Sequence, residues 1–437
     1  MEEEVDVVAR PRPRPGVPRS RRILVVSLGV VWPPTSGAAI RRAVLVRAVS
    51  AVAPADLLLL GEPAAHAFDA GAAAPDVEAL SAVLGVDRVD TVPVVRRLPA
   101  RGPMSRFDSY AFVEATNIDA ARTAKQIAAA GLPLADYTQV WCLREAAFAA
   151  VVDLLPGVPL VLDLDEADHI RLLQEARTAA TAAVRSGGRR PIGRAIRSVV
   201  AAARWYRLKR RYGRAATARL VSSEGGAAQL RITADVVPNC TLDIDEGADA
   251  PPRALVPVGA RGPVVSFIGR LNYQPNIDGV VWFATAVLPR LRALVPDVRV
   301  RIAGRGDERI AVAAQPGVEV LGEVADAAAE LTAARVSIAP LRSGSGTRLK
   351  ILEALAHGVP VVTTTVGCAG LDLVDGQDVF VADSAEAFAQ RCADVLTDDA
   401  VATALGEQGR AAHAARFGEH VARAAVAAVI DRVELHG

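Results

Sequence analysis

Two runs of almost continuously apolar, β-branched residues stand out along the chain: RRILVVSLGVV from Arg21 to Val31 and GPVVSFIGRL from Gly262 to Leu271. Each is followed by a loop containing Gly or Pro and then by a helix-like stretch, which predicts the first strand of a parallel sheet. Similar runs recur after each start. In the first half they are ADLLLLG, TVPVV, YTQVWCL, PLVLDLD and ATARLVSSE; in the second half they are VRVRIAG, GVEVLGE, VSIAPL, GVPVVTTT and DVFVAD. Strands with no polar face belong to sheets covered on both sides. Their alternation with helices predicts an α/β protein, doubly wound twice over. Between the two series lies DEGADAPPRALVPVGARG, rich in Pro, Gly and Ala. This predicts a linker at 245–262 between an N-terminal Rossmann-like domain at 21–244 and a C-terminal one at 263–410.

The length of 437 residues is sufficient for two such cores. A formal net charge of +1 offers no global field for nucleic acid, so none is expected as a partner. Residues 1–20 carry PRPRPGVPRS, which cannot build a core and reads as a disordered tail. The apolar stretch after it is short and reads as a strand, not as a secretory signal. Cys142, Cys240, Cys368 and Cys392 form no CxxC or other metal-ligand spacing, so a reduced, cytoplasmic protein is the simplest expectation. The six histidines form neither HxH nor HxxxH, and no metal or cofactor is assigned. His66, His413, His420 and His436 read as surface or helix residues.

Basic residues are almost all arginine; only Lys125, Lys209 and Lys350 are lysine, a bias that fits an alanine-rich, high-GC bacterial gene. From Arg185 to Arg219 there are twelve basic residues and no acidic one. Ile196, Val199, Ala203 and Tyr206 recur at helical spacing beside Arg197, Arg204 and Arg211, which predicts an amphipathic basic helix. Such a face can be solvated, meet a protein, or make a peripheral contact with anionic lipid at the inner face of a membrane through 185–219.

The most informative segment is APLRSGSGTRLKILEALAHGVPVVTTTVGCAGL, from Ala339 to Leu371. A strand ends near Pro340, a loop follows through Ser343, Gly344, Ser345 and Gly346, and a helix is expected from Thr347 to His357, stopped by Gly358 and Pro360. This arrangement suits an anion. Glycines let a ligand approach the backbone. The first helical N–H groups lack internal partners, and the helix dipole adds positive charge there. A diphosphate is the natural ligand. Thr347 can cap the helix and donate to phosphate, Arg348 and Lys350 add full charges, and Glu353 can accept from both hydroxyls of a ribose. The glycines alone would satisfy any αβ turn; the complete string is far more specific. Lysine at 350, in a chain that otherwise prefers arginine, suits a compact point charge on phosphate better than a solvated helix face.

The segment resembles the donor-binding signature of family 4 of the retaining glycosyltransferases (glycosyl transferases group 1), in the branch with a GxGTRLKxLEA pattern. The likeness extends through SFIGRLNYQPNIDGVVWF, VRVRIAGRG and GVEVLGEVAD, and more weakly through ILVVSLGVVWPPTSGAAIRR and LVLDLDEADH. It implies the GT-B fold, with two Rossmann-like domains facing across a cleft and C-terminal helices at 411–437 crossing back to the first domain. It implies that Gly269-Arg270 contacts the donor diphosphate, with Asn276 in the same donor set, and that Glu353 holds the nucleotide ribose. It also implies that Leu321-Gly322-Glu323-Val324 packs on the base and that Thr365, Gly367 and Gly370 lie beside the site. Two positions depart from the family pattern. Ser345 stands where many members have a first glutamate facing the donor sugar, and Pro275 stands where many have a lysine. Arg348 and Lys350 are expected to replace that missing charge.

In the first half, Gly37 in Trp32-Pro33-Pro34-Thr35-Ser36-Gly37 is placed where backbone can approach the transferred group, with Arg41 and Arg42 on the helix behind it. Asp163, Asp165, Glu166, Asp168 and His169 cluster at the end of a strand, and Asp165 and Glu166 are the candidates to orient or deprotonate an acceptor hydroxyl. Capping of a helix by aspartate is the alternative use of that cluster. The expected partners are a nucleotide-sugar donor and a hydroxyl-bearing acceptor: a natural product, a saccharide or a lipid-linked saccharide. The expected reaction is metal-independent transfer with retention, in which Arg270, Lys350 and the Gly344–Thr347 loop stabilise the leaving diphosphate. A nucleotide-sugar epimerase on the same fold and a catalytically silent nucleotide-binding scaffold are the alternatives.

Overall fold

The structure, a computed structural model, describes residues 21–28, 31–32, 34, 37–61, 77–94, 118–164, 168–186, 189–242, 257–306, 315–344 and 348–436. The tail 1–20, most of the linker, His66, Asp165, Glu166, Ser345, Gly346 and Thr347 lie outside the described residues.

Two sheets organise the chain. The first contains β1 (Ile23–Leu28), β2 (Ala55–Leu60), β3 (Arg88–Val92), β4 (Gln139–Leu143), β5 (Leu160–Asp163), β6 (Ala218–Val221) and β7 (Asp235–Val236), in the order β3-β2-β1-β4-β5-β6-β7. The second contains β8 (Val264–Ile268), β9 (Arg299–Ala303), β10 (Val318–Gly322), β11 (Val336–Ala339), β12 (Val361–Thr363) and β13 (Phe380–Val381), in the order β10-β9-β8-β11-β12-β13. Pairing is parallel from β3 through β6 and across the whole second sheet. Both sheets grow outward from their first strand in one direction and then reverse, which is the doubly wound pattern.

Each predicted strand run contains a strand. The exception in register is TVPVV: β3 begins earlier, at Arg88, and stops before Pro93, whose nitrogen has no hydrogen to donate to a ladder. The two-residue β7 carries too little apolar pattern to be seen in the sequence. Continuous apolar runs are explained by burial on both faces: Leu24, Val25, Val26, Leu57 and Leu58 are fully buried. In the second sheet Val265, Phe267, Val300, Ile302, Val336 and Ile338 pack with Phe283 and Phe388 into one core.

The chain divides into two compact units, one of Met1–Leu164, Arg211–Leu220 and Arg423–Gly437, the other of Asp165–Arg210 and Val221–Ala422. The C-terminal stretch 411–437 comprises the end of the helix Asp399–Arg416 and the whole helix Glu419–His436. Within the first unit, Gln139 Nε2 donates to the Ile430 carbonyl at 2.9 Å, and Arg21 donates to Glu434 at 2.7 Å and Asp431 at 2.9 Å.

Candidate functional site

In an open parallel sheet a ligand site forms at the carboxyl ends of the strands where the winding reverses. In the second sheet that point lies between the neighbours β8 and β11. β8 delivers Gly269 and Arg270, and β11 delivers the loop that leads to the helix Leu349–Ala356.

Lys350 lies on the first turn of that helix, and its ammonium reaches back to the end of β8. Nζ donates to Asn276 Oδ1 at 2.8 Å and lies 4.0 Å from the centroid of the Phe267 ring, a cation–π position. The Asn276 amide is buried and donates through Nδ2 to the Arg270 carbonyl at 2.7 Å. One carboxamide therefore ties the Lys350 ammonium to the backbone that follows β8. Gly269 is favoured by space: a Cβ there would lie 2.6 Å from Lys350 Nζ, the mobile end of a side chain, and 3.1 Å from Asn276 Nδ2. Gly304, at the end of β9, is required more strictly, since its φ is +142° and a Cβ would lie 2.0 Å from the Gly269 carbonyl oxygen. Gly304 N–H donates to the Gly322 carbonyl at 2.7 Å, and Gly322 itself has a φ of 70°. Glycines at the ends of β8 and β9 thus let the two strand ends approach each other closely beside the ammonium.

Burial, followed by the like charge of Arg348, pushes the Lys350 pKa down to about 7, while Glu353 opposes the shift. Glu353, three residues further along the same helix and half-buried, is pushed up by burial, and Lys350 opposes that shift. Both shifts have desolvation as their first cause. Arg348 is buried at 9% exposure, and burial lowers its pKa against the opposing influence of Tyr273. Its guanidinium borders Gly344: a Cβ on Gly344 would lie 3.2 Å from Arg348 Nη2, 3.4 Å from Pro275 Cβ and 3.4 Å from the Tyr273 hydroxyl. Two cations from one helix start therefore reach the β8 loop, one at Gly269 and Asn276 and the other beside Pro275.

Some expectations are corrected. The helix begins at Leu349, so the capping position falls on Arg348 and not on Thr347, and Arg348 makes no side-chain capping bond. Arg270 itself is exposed. Gly344 is buried with a φ of 119°, and its N–H donates to Gln174 Oε1 at 2.9 Å. Nothing in the sequence marks Gln174, which lies 170 residues away on the helix Asp168–Ser186. The loop after β12 is a short helix, Thr365–Cys368, capped by Thr364, and Thr365 is bonded to Asp383 through both its N–H and its hydroxyl. Gly367 is required there, since a Cβ would lie 2.9 Å from the Ala339 carbonyl.

In the first unit, Gly37 is exposed and opens the helix Gly37–Val52. Arg41 and Asp163 form a buried ion pair at 2.7 Å, with side chains 3% and 2% exposed. Asp163 therefore serves the core and is not available to an acceptor. His169 is also buried; desolvation and the nearby Lys209 push its pKa down to about 4, so it is neutral at pH 7. His413 is a buried helix residue bonded to the Thr241 hydroxyl at 2.9 Å.

The chain is similar to known proteins in sequence and in fold. The family model described as glycosyl transferases group 1 matches residues 262–398. A phosphatidyl-myo-inositol mannosyltransferase of Mycolicibacterium smegmatis is 34% identical over 209 residues, covering 45% of this chain and 50% of that protein. The protein of the same name from Mycobacterium leprae is 33% identical over 148 residues, covering 32% of this chain and 38% of that one. The chain thus spans half or less of the length of these curated relatives. Among solved structures, the Anabaena HepE protein in complex with UDP and glucose superposes with a TM-score of 0.60 at 14% identity, covering 94% of this chain and 100% of that one. Sucrose-phosphate synthase from Thermosynechococcus elongatus superposes with a TM-score of 0.63 at 17% identity, covering 95% and 100%. At such identities these two likenesses speak for the fold alone. The switch-point site of the second sheet lies inside the segment that matches the glycosyl transferases group 1 model, residues 262–398, and the fold is GT-B.

Proposed function

We propose that the chain is a glycosyltransferase that moves a sugar from a nucleotide-sugar donor to an acceptor hydroxyl, with retention at the anomeric carbon and without a metal. The observation that carries this reading is the placement of Lys350 Nζ against Gly269 and Asn276 at the switch point, within the segment that matches the family. A compact, partly desolvated ammonium held by a carboxamide oxygen and an aromatic face is a preorganised partner for the charge that develops on a leaving diphosphate. Lys350 and Arg348 hold the donor diphosphate, with Arg270 reaching it from the solvent side. Glu353 accepts from the ribose hydroxyls. Gly344, Ser345, Gly346 and Thr347 supply amide and hydroxyl donors, and Gln174 releases the Gly344 amide when the donor enters. Gly37 approaches the transferred group and Gly322 the base. Asp165 or Glu166 orients the acceptor hydroxyl. The mannosyltransferase relatives support a lipid-linked polyol or saccharide as acceptor.

The test is thermal stabilisation and hydrolysis with a panel of UDP-, GDP- and dTDP-sugars, using Glu353→Ala as control. A ligand at a hundred times its Kd stabilises the folded state by about 2.7 kcal/mol, a clear upward shift in Tm. One nucleotide sugar should stabilise the wild type and not Glu353→Ala. If no nucleotide sugar stabilises the wild type, the donor-site reading fails. If donor alone yields a new nucleotide sugar in place of hydrolysis, the chain is an epimerase.

A further inference from the structure

The helix Arg189–Ala215 runs for 27 residues, and its inner face is anchored by Ser198, Ala201, Ala202, Trp205 and Lys209, all buried. Its outer face is divided along its length. Ile192, Ile196 and Val199 are 49%, 56% and 48% exposed, and Ala203 continues the same stripe at helical spacing. One and three turns further on, the stripe becomes Arg207 and Arg214, both exposed, with Arg210 between them stacked on Tyr206. Arg197 and Arg211 flank it, also exposed. Among the described residues no carboxylate pairs with Arg197, Arg207, Arg211 or Arg214, and between Glu175 and Glu224 the chain has no acidic residue at all.

We propose that this face docks the protein on an anionic lipid surface, with Ile192, Ile196 and Val199 entering the headgroup–acyl boundary and the arginines pairing with lipid phosphates. Three β-branched residues held in water on a regular stripe are a cost that a solvated helix has no reason to bear. Arginine borders suit a surface that is apolar inside and negative outside, because the aliphatic stems lie along the apolar layer while the guanidinium groups reach the phosphates. Nucleic acid would use the arginines but not the isoleucines. The described helices include none long and apolar enough to cross a membrane, so the contact is interfacial. This inference is independent of the donor chemistry proposed above, since it concerns a different surface.

The experiment is flotation of the full chain with vesicles of phosphatidylcholine, with and without phosphatidylglycerol, at two salt concentrations. Two variants are compared, Ile196→Ser/Val199→Ser and Arg197→Glu/Arg207→Glu/Arg211→Glu, each with its circular dichroism and Tm. The wild type should float with phosphatidylglycerol vesicles only. The arginine variant should lose about a hundredfold in partition, from three lost attractions at a negative surface, and the serine variant should lose tenfold or more. No flotation of the wild type overturns the proposal, as does a folded variant that floats like the wild type. Self-association through this face without vesicle binding would assign it to a second copy and likewise overturn it.

Discussion

Gly269→Ala isolates the contribution of the Lys350 ammonium because the added methyl meets little else. Gly269 does not lie in the left-handed region, so alanine fits its backbone. The new Cβ would lie 2.6 Å from Lys350 Nζ, 3.3 Å from Lys350 Cε and 3.1 Å from Asn276 Nδ2. The end of a lysine is mobile, so the ammonium yields: it must retreat by about 0.8 Å to reach ordinary contact distance. That motion breaks the 2.8 Å bond to Asn276 and disturbs the 4.0 Å seat on Phe267. Displaced, the ammonium also forfeits its hydrogen bond to a bound diphosphate; such a charge-assisted bond contributes about 1.5–3 kcal/mol, so nucleoside diphosphate affinity should fall by about 10- to 150-fold. Stability should fall by about 0.5–2.5 kcal/mol, because the broken bond to Asn276 costs more than the about 0.4–1 kcal/mol that a compatible Gly→Ala change recovers through the unfolded state. The assay is titration calorimetry of UDP and GDP on wild type, Gly269→Ala, Lys350→Met and the double variant, with Tm for each. The double variant should bind as Lys350→Met does, since both changes act on one group. A Gly269→Ala protein that keeps its Tm and binds the nucleotide within twofold of wild type would refute the reasoning.

Lys350 also predicts a pH dependence. In the free protein its pKa lies at about 7. A diphosphate beside it raises that value, so binding takes up a proton. Affinity is full below pH 7 and falls as pH rises through 7, by up to tenfold per unit until the bound pKa is reached; calorimetry in buffers of different ionisation enthalpy reads the proton, and a flat profile from pH 6 to 9 would exclude the charge from binding. For the free protein the sign reverses. The unfolded state holds this proton more tightly, so the destabilisation is greatest below pH 7 and is relieved between about 7 and the ordinary 10.5. In the first unit, Asp163→Asn removes the carboxylate charge that lies 2.7 Å from the buried Arg41 guanidinium. It should cost about 3–5 kcal/mol in urea unfolding, and Arg41→Met/Asp163→Leu should recover most of that; a loss below about 1 kcal/mol would show that the pair is not a structural element.

Apolar runs separated by helix-length stretches were sufficient, from the sequence alone, for two doubly wound sheets, because a strand buried on both faces has to be apolar on both. The site segment was legible for a similar reason. Glycines, a helix start and Lys350-x-x-Glu353 are local features, and their spacing survives in any packing. Pairing was not legible. Asp163 reads as a member of an acidic cluster until Arg41, 122 residues earlier, is brought against it. Gln174 reads as an ordinary helix residue until Gly344 is placed opposite it. Gly269 reads as a turn glycine, yet the space it leaves is filled by a lysine 81 residues later, held there by Asn276. These outcomes depend on which strand ends become neighbours, and a parallel sheet sets that by crossovers between distant segments. The sequence determined the elements and the chemistry they carry. The tertiary structure decided which charges are consumed by the core, which ammonium stands at the switch point, and how far burial lowers its pKa, because desolvation and contact are properties of the assembled environment and not of the residue.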